Sequence, residues 1–331
     1  MDLKNKKILV TGGNGFLGKE LTSIFKTENI TNFVAPSSKD YDLRLIENAF
    51  KIMKDFQPDL VVNIAARLGG IGDNRAYPAS YFYDNLMLGI NMIEACRIYG
   101  AEKLILIGTV CSYPKNSPVP FKEEDLWNGY PEETNGPYGV SKRSVTTYAQ
   151  AVKKQYGLHT VNLLFTNLYG AGDDFRDATS HVIPAIIKKI VKAKEDGDSS
   201  ISAWGDGSPT RDFLHVKDAS NAVINSLKYC ETDEPINVGS GTEVNIKYLI
   251  EKIVSILDFK GDIIWDTTKP NGQPRRVLDI TKAKTNFQFS PKIPFDKGLE
   301  ETIHWYLSNR NEIDAMQPKF SDLSPFDHLS K

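Results

Sequence analysis

Thr11-Gly12-Gly13-Asn14-Gly15-Phe16-Leu17-Gly18 follows the aliphatic run Ile8-Leu9-Val10, and after it Phe16, Leu17, Leu21, Ile24 and Phe25 recur at helical spacing. The order is strand, glycine loop, helix. Glycines at 13, 15 and 18, and equally at 12, 15 and 18, let the backbone turn tightly and approach a pyrophosphate, which the first amides of the next helix can hold. Glycine spacing alone is weak; its place between a strand and an amphipathic helix makes it a dinucleotide-binding signal.

Outward from this loop the alternation continues. Residues 32–35, 60–64, 103–108 and 161–165 read as short aliphatic strands, and 46–54, 81–99 and 138–156 as helices. Near-continuous apolar strands alternating with helices predict an α/β fold, a Rossmann-type doubly wound parallel sheet covered on both faces. After Asn167 the rhythm loosens, with a helix over 181–194 and a strand ending at Trp204, which predicts a smaller C-terminal α/β substrate domain. The expected division is 1–168 for the dinucleotide domain, with return segments near 215–260, and 169–315 for the discontinuous second domain. Residues 316–331, with Pro318 and Pro325, read as an irregular tail.

Bulk composition narrows the function. In 331 residues, 40 Lys and Arg oppose 42 Asp and Glu, for a net charge of −2, which lacks the basic excess of a nucleic-acid binder. Cys96, Cys111 and Cys230 have neither CxxC nor metal-ligand spacing, so no metal and no disulfide framework is expected. With neither a signal segment nor a long apolar run, the expectation is a cytoplasmic protein without membrane association.

The second strand leads into Ala35-Pro36-Ser37-Ser38-Lys39-Asp40, with no carboxylate at the strand end to hold a ribose hydroxyl. Ser37, Ser38 and Lys39 suit a 2′-phosphate, which favours NADPH; Asp40, slightly further on, leaves NAD open. Thr109 ends a central strand at the edge where such sheets bind ligands. Tyr138 and Lys142 stack on one helical face, where the cation is expected to lower the phenol's pKa. The same Tyr-x-x-x-Lys window occurs at Tyr99–Lys103 and Tyr248–Lys252. What singles out the Tyr138 copy is Thr109 upstream and a helix start that returns to the ligand edge. Thr109, Tyr138 and Lys142 then supply a hydroxyl, a proton donor and a cation for hydride transfer to a ketone.

These motifs, with the later Ser208-Pro209-Thr210-Arg211-Asp212-Phe213-Leu214-His215, resemble the extended short-chain dehydrogenase/reductases. More narrowly, AARLGGI from Ala65, GTVCSYPK from Gly108, TNLYG from Thr166, SHVIPA from Ser180 and WGDGSPTRDFLHV from Trp204 resemble the GDP-L-fucose synthase family. That resemblance runs from about Lys6 to about Tyr306. It implies NADPH-dependent epimerisation at carbons 3 and 5 and reduction at carbon 4 of GDP-4-keto-6-deoxy-D-mannose, by a homodimer. The neighbouring alternatives are a GDP-heptose or GDP-colitose pathway epimerase or reductase, and an NAD-dependent 4-epimerase.

The resemblance assigns Cys111 and His181 as the acid/base pair of the epimerisations, because the 4-keto group acidifies the adjacent C–H bonds. The chemistry is compatible: His181 at a helix start is biased towards neutral imidazole, and a thiol of ordinary pKa, about 8.5, can deliver a proton. It also implies that Phe16, Leu17, Ala65, Asn167, Leu168 and His181 lie along the cofactor with Gly12, Gly15 and Gly18. Asn167, Val182, Lys189, Trp204 and Arg211 are implied around the guanine and diphosphate, with Arg275 or Arg276 near the phosphates or sugar. Arginine suits a diphosphate and tryptophan suits stacking.

Overall fold

Ile8–Thr11 (β1), Phe33–Val34 (β2), Leu60–Asn63 (β3), Lys103–Thr109 (β4) and Thr160–Phe165 (β5) alternate with the helices Phe16–Thr27 (α1), Ile46–Phe56 (α2), Ile71–Ala76 (α3), Pro78–Tyr99 (α4) and Gly136–Tyr156 (α5). The computed structural model describes residues 1–177, 179–269 and 272–315; the tail expected at 316–331 lies outside them. Local chemistry sets the long helices. Pro78 and Pro137 lie in the first turns of α4 and α5, and Gly100 and Gly157 end them in the left-handed region. The short α3 was not legible as a helix, since six residues carry too few turns to show a period.

The chain continues through Asn167–Tyr169 (β6), Val182–Asp196 (α6), Ser200–Trp204 (β7), Thr210–Arg211 (β8), Phe213–His215 (β9), Val216–Tyr229 (α7), Ile236–Val238 (β10), Val244–Asn245 (β11), Ile246–Leu257 (α8), Asp262–Asp266 (β12), Thr281–Phe287 (α9) and Phe295–Asp314 (α10). Six strands form one parallel sheet in the order β10-β5-β4-β3-β1-β2. The doubly wound parallel sheet expected from the strand pattern is therefore present. Strand order reverses between β1 and β3, and a ligand crevice opens at such a switch point.

Side chains of β1 alternate between two cores, as a pleated strand requires. Ile8 and Val10 pack with Leu17, Leu21 and Phe25 of α1 and with residues of α7 and α9, whereas Leu9 packs with Ile52, Met92 and Val145 of α2, α4 and α5. Each fully buried Leu or Phe contributes about 1.5–3 kcal/mol by leaving water. A separate cluster joins α6, α8 and α10 to the parallel pair β7 and β12. Of the 215–260 stretch, α7 and β10 lie with the main sheet, while α8 packs against α6 and α10.

Buried Asp212 locks the junction between these parts. Its carboxylate accepts hydrogen bonds from the Ser240 amide and hydroxyl at 2.8 and 2.7 Å and from the Leu278 amide at 3.3 Å. Its carbonyl accepts from Thr166 and Asn167 at 2.9 Å each. Among the described residues no helix is long and apolar enough to cross a membrane.

Candidate active site

The glycine loop sits at the switch point. Gly12 has φ +68°, and a Cβ there would stand 2.8 Å from the Ala65 amide nitrogen, so the loop's first residue needs both the left-handed conformation and the missing side chain. Thr11 ties the two strand ends, donating to Asn63 Oδ1 at 2.6 Å and accepting from the Ala65 amide at 3.3 Å. A Cβ on Gly18 would fall 2.4 Å from the Gly12 carbonyl oxygen, so α1 can start directly against the turn. Its N-cap is Gly15, which has no side chain to cap the helix. The first-turn amides are left for an anion, and this cradle fits a dinucleotide pyrophosphate. Leu17 and Leu168 turn their side chains to the core, so what they can offer a cofactor is backbone. Ser37, Ser38 and Lys39 follow β2, with the Ser37 hydroxyl accepting from the Lys39 amide at 3.1 Å; Ser38 and Lys39 are exposed.

Tyr138 and Lys142 are both buried on the inner face of α5. The phenol lies within hydrogen-bonding reach of the Thr109 hydroxyl and near Cys111. The expectation that Lys142 acidifies it is reversed. Burial pushes the Tyr138 pKa up, Cys111 adds to this, and the Thr109 hydrogen bond opposes it. Lys142 instead donates to the Ile107 carbonyl at 3.1 Å, and burial brings its own pKa down to about 8. The two rival windows lie elsewhere. Tyr99 is exposed, with Lys103 spent on the Leu227 and Cys230 carbonyls, and the exposed Tyr248 shares Asp296 with Lys252.

A second group converges on the same place. The Thr109 hydroxyl accepts the Cys111 amide at 3.2 Å, and Arg276 Nη1 stands 3.7 Å from Cys111 Sγ. Arg211 donates to the Thr210 and Gln273 carbonyls at 2.7 Å each rather than pairing with Asp212. Burial and, after it, the neighbouring Arg276 bring the Arg211 pKa down to about 10 against the opposing pull of Cys111 and Glu132. Arg275 turns away, in a bidentate pair with Glu243 at 2.9 and 2.6 Å, and is mostly exposed. Of the two neighbouring arginines, the fold brings Arg276 to the cluster.

His181 is the N-cap of α6 and is exposed, with its imidazole partly desolvated at the helix start. That desolvation lowers its pKa and favours the neutral ring, with Asp174 opposing. Gly70 touches this turn, since a Cβ on it would lie 3.2 Å from the Ser180 carbonyl oxygen. The loop after β3 thus runs between the His181 turn and Tyr81. Tyr81 packs edge-on against Tyr138 with centroids 6.4 Å apart, and Arg67 lies 5.1 Å over its ring. Neither Tyr81 nor Gln273, which holds Arg276, was singled out from the sequence, because no local spacing marks a residue that acts through a distant neighbour.

The remaining candidates line the second unit. Asn167 is held by the Asp212 carbonyl, Val182 packs half-buried on the α6 core, and Lys189 donates to the Ser202 carbonyl. Trp204 is 67% exposed at the end of β7, with Lys269 Nζ 6.0 Å from its ring centroid.

Residues 8–239 match the model of the NAD dependent epimerase/dehydratase family. The chain belongs to that family. A GDP-L-fucose synthase of Sinorhizobium fredii is 38% identical over 93% of this chain and 97% of its own length. Among solved structures, a GDP-L-fucose synthetase from Naegleria fowleri bound to NADP superposes with a TM-score of 0.85, at 29% identity over 93% of this chain and 94% of that one. A GDP-6-OMe-4-keto-L-xylo-heptose reductase from C. jejuni gives a TM-score of 0.87, at 25% identity over 93% and 99% of the two chains.

Proposed function

We propose that this chain is an NADP(H)-dependent epimerase-reductase that inverts carbons 3 and 5 of GDP-4-keto-6-deoxy-D-mannose and reduces carbon 4, giving GDP-L-fucose. The observation that carries the proposal is the meeting of two chemistries at one point: Tyr138 within reach of Thr109, and Cys111 beside both. NADPH, when bound, supplies the hydride. Tyr138 gives its proton to the carbon-4 oxygen, and Thr109 orients the phenol. The Lys142 ammonium, steadied by the Ile107 carbonyl, supports the ribose. Cys111 and His181 exchange protons with the carbons beside the ketone, whose enolate form delocalises the charge.

In this reading Gly12, Gly15, Gly18 and the backbone at Phe16, Leu17, Ala65 and Leu168 hold the cofactor, with Ser37, Ser38 and Lys39 at its 2′-phosphate. Arg211 faces the diphosphate, and Asn167, Val182, Lys189 and Trp204 border the guanine nucleotide. Arg275 is left out because Glu243 holds it outward. The outer faces of α4 and α5, with Ile98 and Tyr156 about half exposed, serve as the face of a cytoplasmic homodimer.

Incubation with GDP-4-keto-6-deoxy-D-mannose and NADPH in deuterated water tests the proposal. Deuterium at carbons 3 and 5 together with cofactor oxidation is expected. The heptose reductase likeness favours a second reading, reduction alone, which oxidation without label would select.

A further inference from the structure

Arg276 is 9% exposed, and its charge is placed against neutral groups. Its Nε and Nη2 donate to the Gln273 side-chain oxygen at 3.0 and 2.9 Å, and Nη1 points at Cys111 Sγ, 3.7 Å away. Gln273 is buried too and is fixed by donating to the Lys115 carbonyl at 2.8 Å. Among the described residues no carboxylate pairs with Arg276, in contrast to Arg275 and its Glu243. A buried cation held by an amide against a thiol is costly in a resting structure. It becomes favourable whenever the sulfur carries negative charge.

We propose that Arg276 is a positioning residue for Cys111, holding the sulfur and receiving its negative charge whenever the thiol has passed its proton to the sugar. This deepens, and rests on, the reading of Cys111 as a proton carrier. In that step the S–H bond breaks, the proton joins the carbon of the enolate, and the electron pair stays on sulfur beside the guanidinium. The thiol re-forms when a proton returns. Cys111 is faced by Arg276 from the 273–276 segment, by Arg211 from β8 and by Tyr138 from α5, with Glu132 acting on Arg211. Gln273 ties both cations, one through its side chain and one through its carbonyl. Arg276 stays with the sulfur while Arg211 remains available to the diphosphate.

The test is iodoacetamide alkylation of the free, full-length protein across about pH 5.5–9.5, followed residue by residue by mass spectrometry. Cys96 and Cys230, both fully buried, are unreactive internal references. Arg276→Gln should slow Cys111 alkylation at neutral pH by about fivefold or more and move the midpoint of its pH profile upward, while Arg276→Lys, which keeps the charge, should recover most of the rate. If thermal melting shows Arg276→Gln to be unfolded, Gln273→Leu, which frees the guanidinium, should shift the profile in the same direction. Superimposable profiles for the wild type and the folded variants overturn the proposal. Alkylation needs no sugar nucleotide, so the two readings fail separately. A shifted profile without deuterium incorporation by the wild type keeps the Arg276–Cys111 pair and removes the epimerase. Incorporation with an unshifted profile does the reverse.

Discussion

Gly139 stands so close to Cys111 that a Cβ on it would lie 2.3 Å from the Cys111 carbonyl oxygen. The helix carrying Tyr138 and Lys142 therefore rests directly on the turn carrying the thiol. Ser112 and Arg143 seal the contact: the Ser112 hydroxyl donates to the Gly139 carbonyl at 3.2 Å, and Arg143 Nε donates to the Ser112 carbonyl at 2.5 Å. One helix-to-turn contact thus sets the distance between the reductive and the epimerising groups.

Gly139→Ala should push α5 off that turn, because the obstructing atom belongs to the backbone. Overpacking of this kind costs about 1–3 kcal/mol, and displacing the phenol should lower the reduction rate about 100-fold. Urea unfolding and NADPH oxidation measure the two effects. Wild-type activity at reduced stability would show that the helix can shift without disturbing the site.

Tyr138→Phe keeps the ring against Tyr81 and removes only the hydroxyl. Cofactor oxidation should fall about 10²–10⁴-fold, the usual share of a general acid, while solvent deuterium still enters carbons 3 and 5. Cys111→Ser should show the complementary loss, of label. Unchanged reduction in Tyr138→Phe would remove the phenol from the mechanism.

Lys142 gives the reduction an alkaline limit. Burial lowers its pKa to about 8, so it is an ammonium below that pH and neutral above it. The pH profile of kcat/KM should fall above about pH 8, approaching tenfold per unit. Stability moves the other way. Between about 8 and the ordinary lysine value of about 10.4, the unfolded chain holds a proton that the folded chain has released, so this residue's contribution to stability rises with pH. Lys142→Met should abolish the rise in urea midpoints across that window.

His215 sets an acid limit on stability. It is 2% exposed, its Nδ1 accepts the Lys217 amide at 3.3 Å, and its ring meets Tyr169 edge-on at 5.3 Å. Burial, with Lys217 adding, lowers its pKa. As pH falls below the unfolded value of about 6.5, the unfolded chain takes up a proton that the folded chain refuses, so the stabilisation present above that pH is progressively lost. Guanidinium midpoints measured on either side of pH 6.5 should differ less in His215→Gln than in the wild type.

The sheet was legible because strands buried on both faces must read as unbroken aliphatic runs, as residues 8–10 and 60–62 do. The glycine loop was legible for a related reason: turn, close approach and helix start are all local along the chain. Among the three Tyr-x-x-x-Lys windows, position relative to the sheet edge separated the copy with a buried tyrosine from the two whose tyrosines are exposed. The state of that copy was hidden. Spacing places Lys142 beside Tyr138, but burial of both and the Ile107 carbonyl decide their proton affinities.

The alternation of strands and helices, the phosphate-binding turn and the face shared by Tyr138 and Lys142 were determined by the sequence by itself, since each depends on residues a few positions apart. Tertiary structure alone decided which of two adjacent arginines meets Cys111, a contact between residues 165 positions apart. It also decided that Gln273 holds Arg276 and that Gly139 brings α5 onto the thiol's turn. Neighbours along an irregular segment point in unrelated directions, and only the packing that pairs Arg275 with Glu243 and buries Arg276 against Gln273 distinguishes them.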